Sequence, residues 1–284
     1  MRQLVLYFFV LLTFIGLFSC KKDKLKAPKA SFLLVNTVSL LTTPTQGENT
    51  EKITDIWYYV NDQFKGVFPV GSVMPIVATA NADIKLLAGI KNNGISGTRI
   101  PYEFFNSKEF NLTIEEGKTY TVNPQFEYNS NAVFYYTENF DSNFGGSQFS
   151  SVGDSAITNT KDFDVSQSFG GIGGSILMGM SDAKPTAKII NTAQYFIPAG
   201  GATAYLEINY KCNQKFTVGV VGGGFDERDA LIINPSDEWN KIYIQLTNVV
   251  STQPTYTGYQ VFIKATKEVN NPAIYIDNIK LIAK

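Results

Sequence analysis

The sequence predicts an all-β fold in which one β-sandwich follows another. Three observations carry that expectation. Helical periodicity is nearly absent over the 284 residues. Short segments rich in Val, Ile, Thr, Tyr and Phe recur instead, separated by Gly, Asn, Asp and Pro. Several neighbouring segments are joined by two or three turn-forming residues, which is how hairpins are written in sequence.

The chain opens on Arg2, an apolar run from Leu4 to Leu17, and Ser19 ahead of Cys20. That pattern reads as a secretory signal over 1–19, because the run is too short to span a bilayer comfortably. Residues 20–30 are rich in lysine and broken by Pro28, which suits a flexible tether. The first sandwich is expected over 31–128. Within it, Ile53 to Val60 and Phe64 to Val70 flank Asn61-Asp62-Gln63, and Asp83 to Ile90 runs into Asn92-Asn93-Gly94. Asn-Gly favours the positive φ angles of a tight turn. Phe110 to Ile114 and Lys118 to Val122 flank Glu115-Glu116-Gly117 as a further hairpin. The polar stretch Pro124 to Asn131 marks a boundary, and a second β unit is expected over 129–284. Its segments include Ala204 to Tyr210, Phe216 to Val221, Trp239 to Leu246, Tyr259 to Ala265 and Ala273 to Ile282.

Composition narrows the function. With 24 Lys+Arg against 25 Asp+Glu, the chain has no electrostatic footprint for nucleic acid. There is no histidine, which removes Ser-His-Asp and Cys-His catalysis and every His-containing metal site. Carboxylate chemistry and oxygen-ligated calcium survive that cut. Of the two cysteines, Cys20 belongs to the leader junction, so Cys212 stands alone and is expected as a small buried strand residue.

Several stretches resemble known families. Leu17-Phe18-Ser19-Cys20 resembles a bacterial lipobox, with Phe18 where a small residue is usual; the resemblance implies cleavage before Cys20 and acylation of that residue. The first half, from Trp57-Tyr-Tyr-Val-Asn-Asp-Gln-Phe-Lys-Gly to Glu-Gly-Lys-Thr-Tyr-Thr-Val, resembles small Ig-like modules of the PEGA or carboxypeptidase-regulatory type. The second half resembles the galactose-binding-like jelly rolls of carbohydrate-binding modules, most specifically in its last strand, Tyr275-Ile-Asp-Asn-Ile-Lys-Leu. Asp154-Ser155-Ala156 resembles the O-glycosylation motif of Bacteroidetes, with Ser155 as the acceptor. Together these imply a lipid-anchored outer-membrane protein of Bacteroidetes type, with the leaflet left open.

Candidate site residues follow from the same reading. In the resembled jelly rolls, a carboxylate near the first strand and the Asp of the last strand often share a structural calcium; here Glu138, Asp141 and Asp277 hold those places. The alternative is that Asp277 accepts backbone N–H groups in a turn. A glycan surface needs exposed rings for stacking and polar neighbours for hydroxyls. Strand alternation puts Trp239, Lys241, Tyr243 and Gln245 on one face, opposite Ile242, Ile244 and Leu246. It likewise sets Trp57 and Tyr59 opposite Ile56, Tyr58 and Val60. Either ring set could instead cover core edges or an interdomain contact.

The acidic run Asp226-Glu227-Arg228-Asp229 follows Gly222-Gly-Gly-Phe. Asp226 and Asp229 are candidates for the rim of a binding site, whereas Arg228 would keep its neighbours ionised and unsuited to acid catalysis. Gly170-Gly-Ile-Gly-Gly lacks phosphate-loop spacing and reads as turns. The expected function is therefore non-catalytic: a lipid-anchored envelope protein whose jelly roll binds polysaccharide. The other reading is a structural or adhesion lipoprotein that contacts an envelope protein partner.

Overall fold

The computed structural model describes residues 29–78, 80–141 and 148–284. The expected signal, Cys20 and nearly all of the tether lie outside the described residues.

The chain is all-β. Its first half carries β1 (Ser31–Val35), β2 (Ser39–Leu41), β3 (Asp55–Val60), β4 (Gln63–Pro69), β5 (Val73–Ile76), β6 (Asn81–Lys91), β7 (Arg99–Pro101), β8 (Lys108–Thr113), β9 (Thr119–Val122) and β10 (Gln125–Glu127). One sheet runs β4-β3-β6-β7, with β8 also on β6; the strand sets β5-β1-β9 and β10-β2 complete the half. Leu33, Val35 and Leu40 meet Ile56, Tyr58, Ile84 and Leu86 in one core. Asn61 and Asp62 adopt φ of 50° and 59°, which joins β3 to β4 in the tight turn their residue types favour. The alternation along β3 is as the sequence implies. Ile56, Tyr58 and Val60 point into the core, while Trp57 and Tyr59 lie outside, each about one ring diameter from Phe64 (centroids 5.4 and 5.3 Å).

The second half carries β11 (Val133–Glu138), β12 (Phe149–Ser151), β13 (Ala156–Asn159), β14 (Ile176–Gly179), β15 (Thr186–Asn191), β16 (Ala204–Cys212), β17 (Phe216–Gly222), β18 (Asp226–Ile233), β19 (Ser236–Gln245), β20 (Tyr259–Thr266) and β21 (Ala273–Ala283). They form two antiparallel sheets in the manner of a jelly roll. One is ordered β13-β14-β21-β16-β19 with β11 also on β21, and the other β12-β15-β20-β17-β18. Ile208, Ile242, Ile244, Ile276 and Leu281 from the first sheet pack against Val218, Val220, Val261 and Ile263 from the second. Cys212 is buried in this core, and burial pushes its thiol up from the ordinary range.

The outer face of the β16-β19-β21 sheet is not free along its whole length. Tyr205, Tyr243 and Ile282 project from it into the core of the first half. The Asn92-Asn93-Gly94 turn clamps the same region: Asn93 N–H donates to Tyr243 O at 2.9 Å, and Asn93 Oδ1 accepts from Gln245 N–H at 2.8 Å. Tyr205 OH donates to Asn92 Oδ1 at 3.0 Å. Asn93 and Gly94 hold φ of 54° and 69°, and a Cβ on Gly94 would fall 3.0 Å from Ile242 Cδ1. The segment 48–54 crosses the same face, where Thr50 Oγ1 donates to Asn209 Oδ1 at 3.0 Å.

Candidate functional site

The pleat of β19 sends Trp239, Lys241 and Tyr243 outward and Ile242 and Ile244 into the core. The first half covers only part of that outward row. Tyr243 is 2% exposed; its ring centroid lies 4.8 Å from that of Tyr102, and its hydroxyl accepts from Lys52 N–H at 3.1 Å. As a candidate sugar platform Tyr243 is therefore corrected: the docking of the first half removes its ring from solvent. Trp239 sits beyond the covered region and stays half-buried. Phe169 meets it edge-on at 5.5 Å, and Tyr275 flanks it at 6.4 Å. Tyr275 pairs across the sheet with Lys211 of β16, so both lie on the outward face with Trp239.

Next to this aromatic cluster lies a cleft of about 230 Å³. The first half contributes Glu48, Asn49 and Thr50 to its wall; the second contributes Asn139, Asp141, Phe169, the 170–174 loop, Asp277 and Asn278. Two glycines of that loop, Gly173 and Gly174, are explained by close approach. Gly173 holds φ of 70°, and a Cβ there would fall 2.2 Å from Asp141 Oδ1. Ile172 at the loop tip is 76% exposed.

Two of the three acids of the sequence reading, Asp141 and Asp277, line this cleft, and Glu138 lies close enough to act on Asp277. Burial raises the Asp277 carboxyl to about 8; the hydrogen bonds from Ser175 and Asn278 oppose this, and the charges of Asp141 and Glu138 add to it. Each carboxyl is already engaged within the protein. Asp277 accepts from Ser175 Oγ–H and Asn278 N–H, both at 2.6 Å. Asp141 accepts from Gly174 N–H and Asn139 Nδ2–H at 2.8 Å. Glu138 accepts from Phe140 N–H at 2.8 Å and from Gln148 N–H. Among the described residues no group of three or more His, Cys, Asp or Glu side chains is placed to hold a metal ion.

The remaining candidates lie apart from the cleft. Asp226 and Asp229 are on β18, in the opposite sheet from Trp239. Asp226 pairs with Arg228 at 2.7 Å and Asp229 with Lys264 at 2.8 Å. The Arg228 hydrogen bond holds the Asp226 carboxyl below its usual range. Arg228 also donates to Val249, Thr252 and Pro254 carbonyls, so this cation ties a loop rather than a ligand. Ser155 is half-buried; its hydroxyl donates to Val152 O at 2.6 Å and accepts from Lys188 N–H at 2.9 Å.

Sequence reasoning missed Phe169, Asn49 and Thr50, which come from loops without periodicity. Tyr275 was within reach, because it shares strand parity with Asp277.

The chain is similar in part to several solved structures. A family 29 carbohydrate-binding module solved with mannohexaose matches at 13% identity and a TM-score of 0.37, covering 53% of this chain and 92% of the module. A second structure of that module, with cellulohexaose, matches at 13% identity and a TM-score of 0.37, over 54% of this chain and 93% of the module. A cleaved adhesin domain of Lys-gingipain matches at 14% identity and a TM-score of 0.37, over 51% of this chain and 96% of that domain. No protein-family profile and no curated protein sequence matches the chain.

Proposed function

We propose that this chain is a non-catalytic, carbohydrate-binding protein of the cell envelope, anchored by lipid on Cys20 in the outer membrane. The observation that carries the binding reading is the cluster of Trp239, Phe169 and Tyr275 beside a cleft walled by Asn49, Thr50, Asn139 and Asp141. Rings of this kind offer stacking faces for pyranose C–H groups, and the amide, hydroxyl and carboxylate groups match sugar hydroxyls. The structure neighbours that carry mannohexaose and cellulohexaose are in keeping with that ligand class.

Three carboxyls line the cleft, Glu48, Asp141 and Asp277, and a glycosidase needs two. Asp277 is buried at 3% exposure and fixed by the Ser175 and Asn278 hydrogen bonds it accepts, so a substrate has little access to it. Binding without turnover is the reading this supports.

The test is a polysaccharide and glycan-array screen of the purified protein, repeated with Trp239→Ala and Phe169→Ala after their folding is checked by circular dichroism. Retained oligosaccharide in the wild type, lost in both variants, is the expected result. Binding that survives both substitutions would move the site elsewhere, and release of reducing ends would make the protein an enzyme. Radiolabelled palmitate incorporation that disappears in Cys20→Ser tests the anchor.

A further inference from the structure

A second cleft, of about 210 Å³, opens on the other side of the 48–54 segment, where the two halves meet. Its charged lining consists of Lys52, Lys91 and Lys241, with no carboxylate among the lining residues. Lys241 is neutralised by Glu207 at 2.8 Å. The other two are not: among the described residues neither Lys52 nor Lys91 forms an ion pair. Lys52 Nζ donates only to the Asn240 amide oxygen. Glu51, the nearest acid in sequence, turns its carboxylate back to Ile53 N–H.

Two ammonium groups brought together without a counter-charge repel each other, which costs stability unless something anionic sits between them. The repulsion is visible on Lys52, whose ammonium is held below its usual range by burial and then by Lys91. The rest of the lining is neutral and hydrogen-bonding. Asn93, Asn234 and Asn240 supply amides, and Tyr210 accepts from Asn240 Nδ2–H at 3.0 Å. The back wall is aliphatic, from Leu231, Ile233 and Ile242.

We propose that this interdomain cleft is an anion subsite that takes an acidic sugar residue, its carboxylate or sulfate ester held between Lys52 and Lys91 and its hydroxyls by the asparagine amides. The mixed lining favours a sugar over a bare ion: a point anion would use the lysines alone and leave the amides and aliphatic wall idle. The site is independent of the Trp239 cleft, so either can fail without the other.

The experiment titrates the purified protein by calorimetry with four probes: a polygalacturonate oligosaccharide, a sulfated galactan oligosaccharide, sodium sulfate, and a neutral galactan oligosaccharide. Variants are Lys52→Gln, Lys91→Gln and, as a control for lost charge, the exposed Lys184→Gln. At least one acidic oligosaccharide is expected to bind, at least tenfold more weakly in Lys52→Gln and Lys91→Gln and unchanged in Lys184→Gln. Neither cleft variant should melt lower than wild type, because each removes one of two like charges. The uronate and sulfate arms tell the two anionic groups apart. Binding only of sodium sulfate, equal loss in Lys184→Gln, or no binding of either acidic oligosaccharide overturns the proposal.

Discussion

Glu207 Oε2 lies 2.8 Å from Lys241 Nζ, and the two side chains are 0% and 2% exposed. The pair belongs to the second half, yet it is sealed by the first. Tyr102 OH and Tyr128 OH both donate to Glu207 Oε1 at 2.9 Å, and Lys241 Nζ donates to Thr50 Oγ1 at 3.1 Å. Burial pushes the Glu207 carboxyl up, but the charges of Lys241 and Lys280 outweigh it and hold the group below its usual range.

Breaking this pair from one side should be severe. Removing one partner of a buried ion pair strands the other and costs about 3–5 kcal/mol. Glu207→Ala and Lys241→Met are each expected to lose that much in urea unfolding. A loss below about 1 kcal/mol in both would mean that water reaches the network and the halves are not sealed.

The Asn93-Gly94 turn should behave as an interdomain staple rather than a surface turn. Gly94→Val places a β-branched residue at φ of 69° and drives its Cβ toward Ile242. A cost of about 2–3 kcal/mol is expected, against about 1 kcal/mol for strain at an ordinary exposed turn. Hydrogen exchange of Gln245 N–H, which Asn93 Oδ1 accepts, should quicken in Asn93→Ala. Unchanged exchange there would count against the staple.

Two buried titrating groups predict opposite limbs in stability against pH. Asp277 is raised from 3.8 to about 8, so between those values the folded state keeps a proton that the unfolded chain has released. Stability therefore falls as pH rises through that window. Lys280 is lowered from 10.5 to about 7, mainly by burial, so between those values the unfolded chain holds the extra proton and stability rises with pH. Melting temperature should pass through a minimum near pH 7–8. Asp277→Asn should flatten the acid limb and Lys280→Met the alkaline one; limbs that ignore both substitutions would refute the assignment.

Calcium offers a clean negative. With no group of three or more His, Cys, Asp or Glu side chains placed to hold a metal among the described residues, the melting temperature should be the same in EDTA and in millimolar calcium. A rise of several degrees in calcium would restore the metal reading.

Fluorescence can locate a sugar. The chain has two tryptophans, and Trp57 lies in the first half, away from the cleft. In a Trp57→Phe background, emission from Trp239 should shift to the blue on saccharide binding, as stacking excludes water from the ring. A titration in which binding occurs but Trp239 emission stays fixed would place the ligand elsewhere.

Strand by strand, much was legible without coordinates. Tight turns at Asn61-Asp62 and Asn93-Gly94, the inward Ile56-Tyr58-Val60 row and the split of β19 into Trp239-Lys241-Tyr243 against Ile242-Ile244 all follow from residue type and a period of two. Such features depend on neighbours a few residues away, so local sterics decide them. The site was less legible. Its rings and amides, Phe169, Asn49 and Thr50, sit in irregular segments that carry no period to read.

By itself, the sequence determined an all-β chain without histidine chemistry, with Trp239 and Tyr243 on one strand face and Cys212 inward. Only the tertiary structure decided the fate of that face. The first half docks over Tyr243, Glu207 and Lys241 and stops short of Trp239, so two residues of equal parity end in opposite environments. Alternation tells which side of a sheet a residue takes; it is silent on what covers that side, because covering depends on contacts between segments more than a hundred residues apart.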